Sequence, residues 1–162
     1  MFEVKTLLPN TAGYINVYGK PVEAVGMISN KTDSVLNTLS FFTKGFVGRI
    51  HIYGTLAFDP ETEDWTEINL SGDKEKPYLE FDDEFADDPN RRFVKNIEGS
   101  FTYLKAEIDR TYLPYYDSIL NNEPYVQADY DFIPDKRRLG KSTEREVLIK
   151  KVGSVNRITL SY

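Results

Sequence analysis

Apolar and polar positions alternate along much of this chain, most clearly over residues 46–56. Ile50, Ile52, Gly54 and Leu56 fall on one side of an extended backbone there, and Arg49, His51, Tyr53 and Thr55 on the other. A period of two is that of a strand with one buried face. Residues 101–108 repeat it, with Leu104, Ala106 and Ile108 set against Phe101, Tyr103, Lys105 and Glu107. Residues 155–162 put Ile158, Leu160 and Tyr162 on one face behind Gly153, which predicts a last strand pinned in a sheet. Residues 35–42 alternate more loosely, with Leu39 and Phe41 together.

Shorter β-type runs cover 4–8, 14–18, 22–28, 65–70 and 78–81. Turn-forming residues separate them: Pro9, Asn10 and Gly13, then the polar stretch 30–34, then Asp59 and Pro60. Turn signals recurring about every ten residues predict an all-β fold, an antiparallel β-sandwich, jelly-roll-like, built from one domain over 1–162. Two stretches break the rhythm. Residues 82–92 read as a charged loop. Residues 114–151 read as a long, partly irregular insertion near the C-terminus, and loops of that length in a compact domain are functional or mobile. Thr143 with Glu146 has the form of a helix capping box, while 146–151 also fits a strand.

Composition narrows the function classes. At 162 residues the chain can bury roughly 70% of its unfolded surface. A net charge of −6 disfavours nucleic acid as a partner, because phosphate binding needs a basic surface. There is no cysteine, so disulfides, thiolate nucleophiles and sulfur-ligated metals are excluded. No apolar run approaches the ~18 residues of a membrane helix, and the first residues do not read as a signal peptide. The expectation is a chain made in a cytoplasm, with no membrane partner. Tyr at 11 residues outnumbers Phe at 10, which suggests half-buried rings with wet hydroxyls, common at protein interfaces.

Candidate chemistry is sparse. His51 is the sole histidine. It sits on the polar side of its strand with no Gly-x-Ser-x-Gly nearby, so it reads as an ordinary exposed strand residue. One histidine without cysteine does not make a typical zinc site. Asp82, Asp83, Glu84, Asp87 and Asp88 offer oxygen ligands for a structural calcium ion, as do Asp129 and Asp131. Their spacing matches no EF-hand loop, so a solvated charge run is the expectation and no cofactor is predicted. Acidic pairs suited to glycoside hydrolysis are too plentiful to be informative. Trp65, Tyr112, Tyr115, Tyr116, Tyr125 and Tyr130 could stack on a sugar, or anchor a protein interface. For Trp65 a place at the edge of the core is the simpler reading. For the tyrosines an interface is favoured, joined by Phe132 and by Arg137 and Arg138 of the basic cluster that includes Lys136 and Lys141. That cluster is too short for nucleic acid on an acidic chain, but it complements an acidic loop on a neighbouring copy.

Three pieces of the chain resemble a known group. They are the pattern Phe46-x-Gly48-x-Ile50-x-Ile52-x-Gly54-Thr55-Leu56 with Pro60, Asp64, Trp65 and Ile68; the stretch 99–113 containing Asp109, Arg110, Tyr112 and Leu113; and the closing run 153–162. Together they are similar to small virion structural proteins of tailed bacteriophages, especially contractile-tailed ones. The resemblance implies a structural role in a virion and no catalysis, and it transfers no functional residues. The insertion 114–151 is longer than such sequences carry. The expected function is therefore a non-enzymatic structural component of a phage particle, whether head decoration, neck, tail or baseplate. It would dock on other virion proteins and on its own copies. A carbohydrate-binding β-sandwich module is the alternative, and a hydrolase comes third.

Overall fold

The computed structural model of the chain describes residues 4–11, 16–24, 36–81, 90–113 and 153–161. Ten strands run through them: β1 (Val4–Leu8), β2 (Val17–Tyr18), β3 (Val22–Glu23), β4 (Leu36–Lys44), β5 (Gly48–Thr55), β6 (Thr66–Glu67), β7 (Leu79–Phe81), β8 (Arg91–Glu98), β9 (Tyr103–Asp109) and β10 (Ser154–Ser161). Every pairing is antiparallel. One sheet has the order β1-β10-β4-β8. The other is centred on β9 and β5, with β2 and β3 end to end along the outer edge of β9, and β6 and β7 along that of β5. This is the all-β, antiparallel, sandwich-like architecture that the alternation predicts.

The core lies between the inner faces of the two sheets. Leu39 and Phe41 of β4, Ile50 and Ile52 of β5, Leu104, Ala106 and Ile108 of β9, and Ile158 and Leu160 of β10 are all fully buried. Burying each such aliphatic side chain contributes roughly 1.5–3 kcal/mol. Phenylalanines link the layers: Phe41 stacks on Phe93 at 4.8 Å, Phe93 meets Phe81 at 5.6 Å, and Phe81 meets Phe46 edge-on at 5.5 Å. Phe101 lies over Gly54, where an added Cβ would stand 2.6 Å from its ring.

Several local expectations change. Leu56 does not continue the buried face of β5: the strand ends at Thr55, and Leu56 is 67% exposed in the turn beyond. The 22–28 run is strand only at Val22–Glu23, and the 14–18 run only at Val17–Tyr18, among the described residues. The 65–70 run pairs through Thr66–Glu67, extended by one further bond from Ile68 N–H to the Ile52 carbonyl at 2.8 Å. The largest departure is β8. Arg91 and Arg92, read as part of a charged loop, open an eight-residue strand. It escapes a hydrophobicity pattern because its inward positions alternate Arg91, Phe93, Lys95 and Ile97, and at a sheet edge long charged stems can lie along the core rim.

On either side of residues 114–151, expected as an insertion, the chain is pinned. Arg110, just past β9, is fully buried. Its Nε donates to the Val47 carbonyl at 2.7 Å, its Nη2 to the Gly153 carbonyl at 3.0 Å, and its guanidinium lies 4.9 Å from the Phe46 ring centroid. Gly153 sits at φ +62°, and a Cβ there would meet the Gly45 carbonyl oxygen at 2.2 Å, so only glycine fits. The insertion 114–151 itself falls outside the described residues, apart from this framing.

Candidate functional site

The two outer faces of the sandwich differ in character. On the β4-containing sheet small polar residues (Thr38, Ser40, Thr159 and Ser161, with Thr38 donating to Asn96 Oδ1 at 2.9 Å) surround Phe42, whose ring meets the Arg157 guanidinium at 4.4 Å and that of Arg92 at 5.4 Å. The β5-containing sheet carries a denser array of ionisable and aromatic groups, each half-buried. Period two turns Arg49, His51 and Tyr53 of β5 outward, and Lys105, Glu107 and Asp109 of β9. Antiparallel register then sets Arg49 beside Asp109, His51 beside Glu107 and Tyr53 beside Lys105. The short strands β6 and β7 add Glu67 beside Tyr53 and Glu80 beside Arg49.

His51 is the centre of this face. Its Nδ1 bonds Glu67 Oε1 at 2.5 Å, and its Nε2 stands 3.8 Å from Asp109 Oδ2, an ion-pair distance too long for a hydrogen bond. The imidazole also contacts the Tyr78 ring at 5.1 Å and the Tyr53 ring at 6.1 Å. The side chain is 13% exposed, so it is not the ordinary exposed strand residue that the sequence suggests. Burial alone would lower its pKa, but the carboxylates of Asp109 and Glu67 overcome that and raise it. Burial likewise favours the neutral form of Asp109, yet His51 and the two donors of Thr111 (N–H at 2.8 Å, Oγ1 at 2.6 Å) bring its pKa down to about 2.

Around that centre, cations lie on rings. The Arg49 guanidinium is held between Tyr112, at 3.8 Å from its centroid, and Tyr78, at 4.3 Å, while its Nε donates to Glu80 Oε2 at 3.0 Å. The Lys105 ammonium stands 4.4 Å over Trp65 and 5.8 Å from Tyr53. Burial lowers the Lys105 pKa against the pull of Glu107, and burial raises that of Glu107. Burial and the Glu107 carboxylate push the Tyr53 phenol up, as burial and Glu80 do for Tyr112.

Chemically, this array stores charge and locks strands together. Both ring nitrogens of His51 face carboxylates, so neither is aimed at a hydroxyl it could activate. Among the described residues no cluster of His, Asp and Glu is arranged to hold a metal ion. Tyr112, expected as an interface anchor, has its ring against the Arg49 guanidinium and its hydroxyl buried, with no hydrogen-bond partner among the described residues. Trp65, expected at the core edge, is half-buried under Lys105 and outside the core cluster. Tyr115, Tyr116, Tyr125, Tyr130, Phe132, Arg137 and Arg138 lie outside the described residues, as do the acidic runs 82–88 and 129–131. Sequence reading missed the His51, Glu67 and Asp109 cluster because its members come from three strands. The available signal was that all three fall on the polar side of their runs.

No family model, curated protein or solved structure matches this chain.

Proposed function

We propose that this protein is a non-enzymatic structural component of a bacteriophage virion, a jelly-roll domain present in many copies and working through protein–protein docking. The observation that carries the proposal is the strand order. With β2 and β3 taken as one strand, and β6 and β7 as another, the first sheet holds the first, last, third and sixth strands, and the second holds the remaining four. That arrangement supports a jelly-roll reading, a double-sheet form used by viral capsid and lectin domains. The step from fold to particle is an analogy, joined to the resemblance of residues 46–68, 99–113 and 153–162 to tailed-phage structural proteins.

The ionic face favours this over the carbohydrate-binding alternative. Aromatic platforms for sugars need open ring faces, whereas the rings of Trp65, Tyr78 and Tyr112 each carry a cation of the protein itself. Mass spectrometry of density-purified phage particles from the producing host tests the proposal. The chain should appear at a stoichiometry of many copies per particle. Particles free of it would overturn the reading, and glycan retention abolished by Trp65→Ala would favour the alternative.

A further inference from the structure

Among the described residues, three of the four sheet edges are blunted. On the second sheet, β2, β3 and β6 are two residues long and β7 is three. On the first, β1 has five residues, and its register shifts between Thr6 and Leu8. Short and bulged edges are how β-proteins discourage strand addition. The remaining edge, β8, has neither protection. Its eight residues run from Arg91 to Glu98, and its register with β4 is unbroken from Leu36↔Glu98 to Thr43↔Arg91. Among the described residues nothing pairs with its other side. It also displays Val94 at 53% exposure, in the middle of the strand.

Charge is the usual remaining guard of such an edge. Here Arg91 and Lys95 point inward, and the outward Arg92 is drawn onto a ring. The Arg92 guanidinium lies back over Phe42, 5.4 Å from its centroid, and that of Arg91 over Phe81 at 5.9 Å. Lys95 is the remaining cation of the strand.

We infer that β8 is a docking edge, and that its occupant is β8 of a second copy of this chain, paired antiparallel about a two-fold axis at Val94. Residues opposite one another in an antiparallel pair share a face, so the two-fold passes through a residue. Centred on Val94, it sets Val94 on Val94, Arg92 opposite Asn96, Phe93 opposite Lys95, and Arg91 opposite Ile97. No like charges meet directly, Arg92 falls diagonal to Glu98 of the other copy, and the exposed valines cover each other. Centred one residue later, it would set Lys95 on Lys95. The Val94 register avoids that repulsion and covers the exposed valines, and an isologous contact of this kind closes as a dimer whose two β8-containing sheets become one of eight strands. The inference builds on the multi-copy reading above and names the surface by which copies meet.

The cysteine-free sequence allows a clean test with the 162-residue chain. Under mild oxidation Val94→Cys should yield a covalent dimer, well above the yield from Phe58→Cys, a control on a residue 70% exposed elsewhere. In sedimentation equilibrium the wild type should exceed the 18.7 kDa monomer mass, and Val94→Lys should weaken association roughly tenfold with an unchanged circular dichroism spectrum. A wild type that stays monomeric would overturn the inference. So would cross-linking of Val94→Cys at the control level, or preferential cross-linking of Lys95→Cys. None of these results bears on whether the chain is found in purified particles, so the two readings fail separately.

Discussion

Arg110 and Gly153 are joined by a 3.0 Å hydrogen bond from the guanidinium Nη2 to the glycine carbonyl. The contact brings the exit of β9 against the entry of β10. The same side chain holds the Val47 carbonyl ahead of β5, so one buried cation ties three strands from both sheets. Replacing Arg110 with Met keeps much of the volume but leaves those carbonyls unpaired in the interior. Each lost partner costs about 1–3 kcal/mol. Urea denaturation should therefore show Arg110→Met destabilised by about 3 kcal/mol or more, with an unchanged m-value if the fold survives.

Because Arg110 and Gly153 are already in contact, residues 114–151 should be replaceable by a short Gly-Ser linker without loss of the sandwich. Shortening the closed loop should even favour folding slightly, by up to about 2 kcal/mol in chain entropy. Thermal melts and circular dichroism of the shortened chain check this. In the proposed virion role, the shortened chain should fold and yet fail to co-purify with particles. Unchanged incorporation would remove the insertion from that role.

Gly153→Ala should be among the most damaging single-methyl changes in the protein. Its φ of +62° disfavours any side chain, and the new Cβ would press into the backbone of Gly45. A loss of roughly 3 kcal/mol, read from chemical denaturation, is expected. Gly72→Ala is the control: its φ is +90°, but nothing lies within 4 Å of the added carbon, so backbone strain alone should cost less.

How stability varies with pH follows from His51 and Asp109. The folded pKa of His51 lies above its ordinary 6.5. Its contribution is therefore complete below 6.5 and disappears as pH rises through the folded value. For Asp109 the direction is opposite: the folded value is about 2 against an ordinary 3.8. Its contribution is present above 3.8 and is lost as pH falls toward 2, and after screening it is worth about 1–2 kcal/mol. Melting temperatures from pH 5.5 to 9 should fall more for the wild type than for His51→Gln. A parallel decline in both proteins would show that His51 does not clamp β5 to β6 and β9.

Much of the sandwich was legible because β4, β5, β9 and β10 bury one face each and alternate accordingly. Edge strands were not. β8 keeps Arg91 and Lys95 on its inward side, which erases the hydrophobic signal while preserving the strand. Leu56 was misassigned for a related reason: alternation continues in the sequence beyond the point where the ladder stops at Thr55. The ionic face was half visible. Its residues were placed correctly on the outward side of β5 and β9, but whether Glu67 and Asp109 meet His51 depends on strand register, and one sequence does not encode register locally. Tyr112 illustrates the limit, since its aromatic character does not reveal that the Arg49 guanidinium lies against its ring.

The position of β10 has a consequence for synthesis. It lies between β1 and β4 in its sheet, with Val4 paired to Ser161 and Thr11 bonded to Val155 across 144 residues. β1 thus waits for its partner until the residues up to Ser161 leave the ribosome. Translation at about 5–20 residues per second stretches that wait over many seconds. During it, β1 and β4 show unpaired edges to every other nascent copy, and the non-local closure that ends the exposure is intrinsically slow. In the living cell, the period of greatest vulnerability falls before the last strand arrives, and a chaperone that shields β1 and β4 would act at that moment.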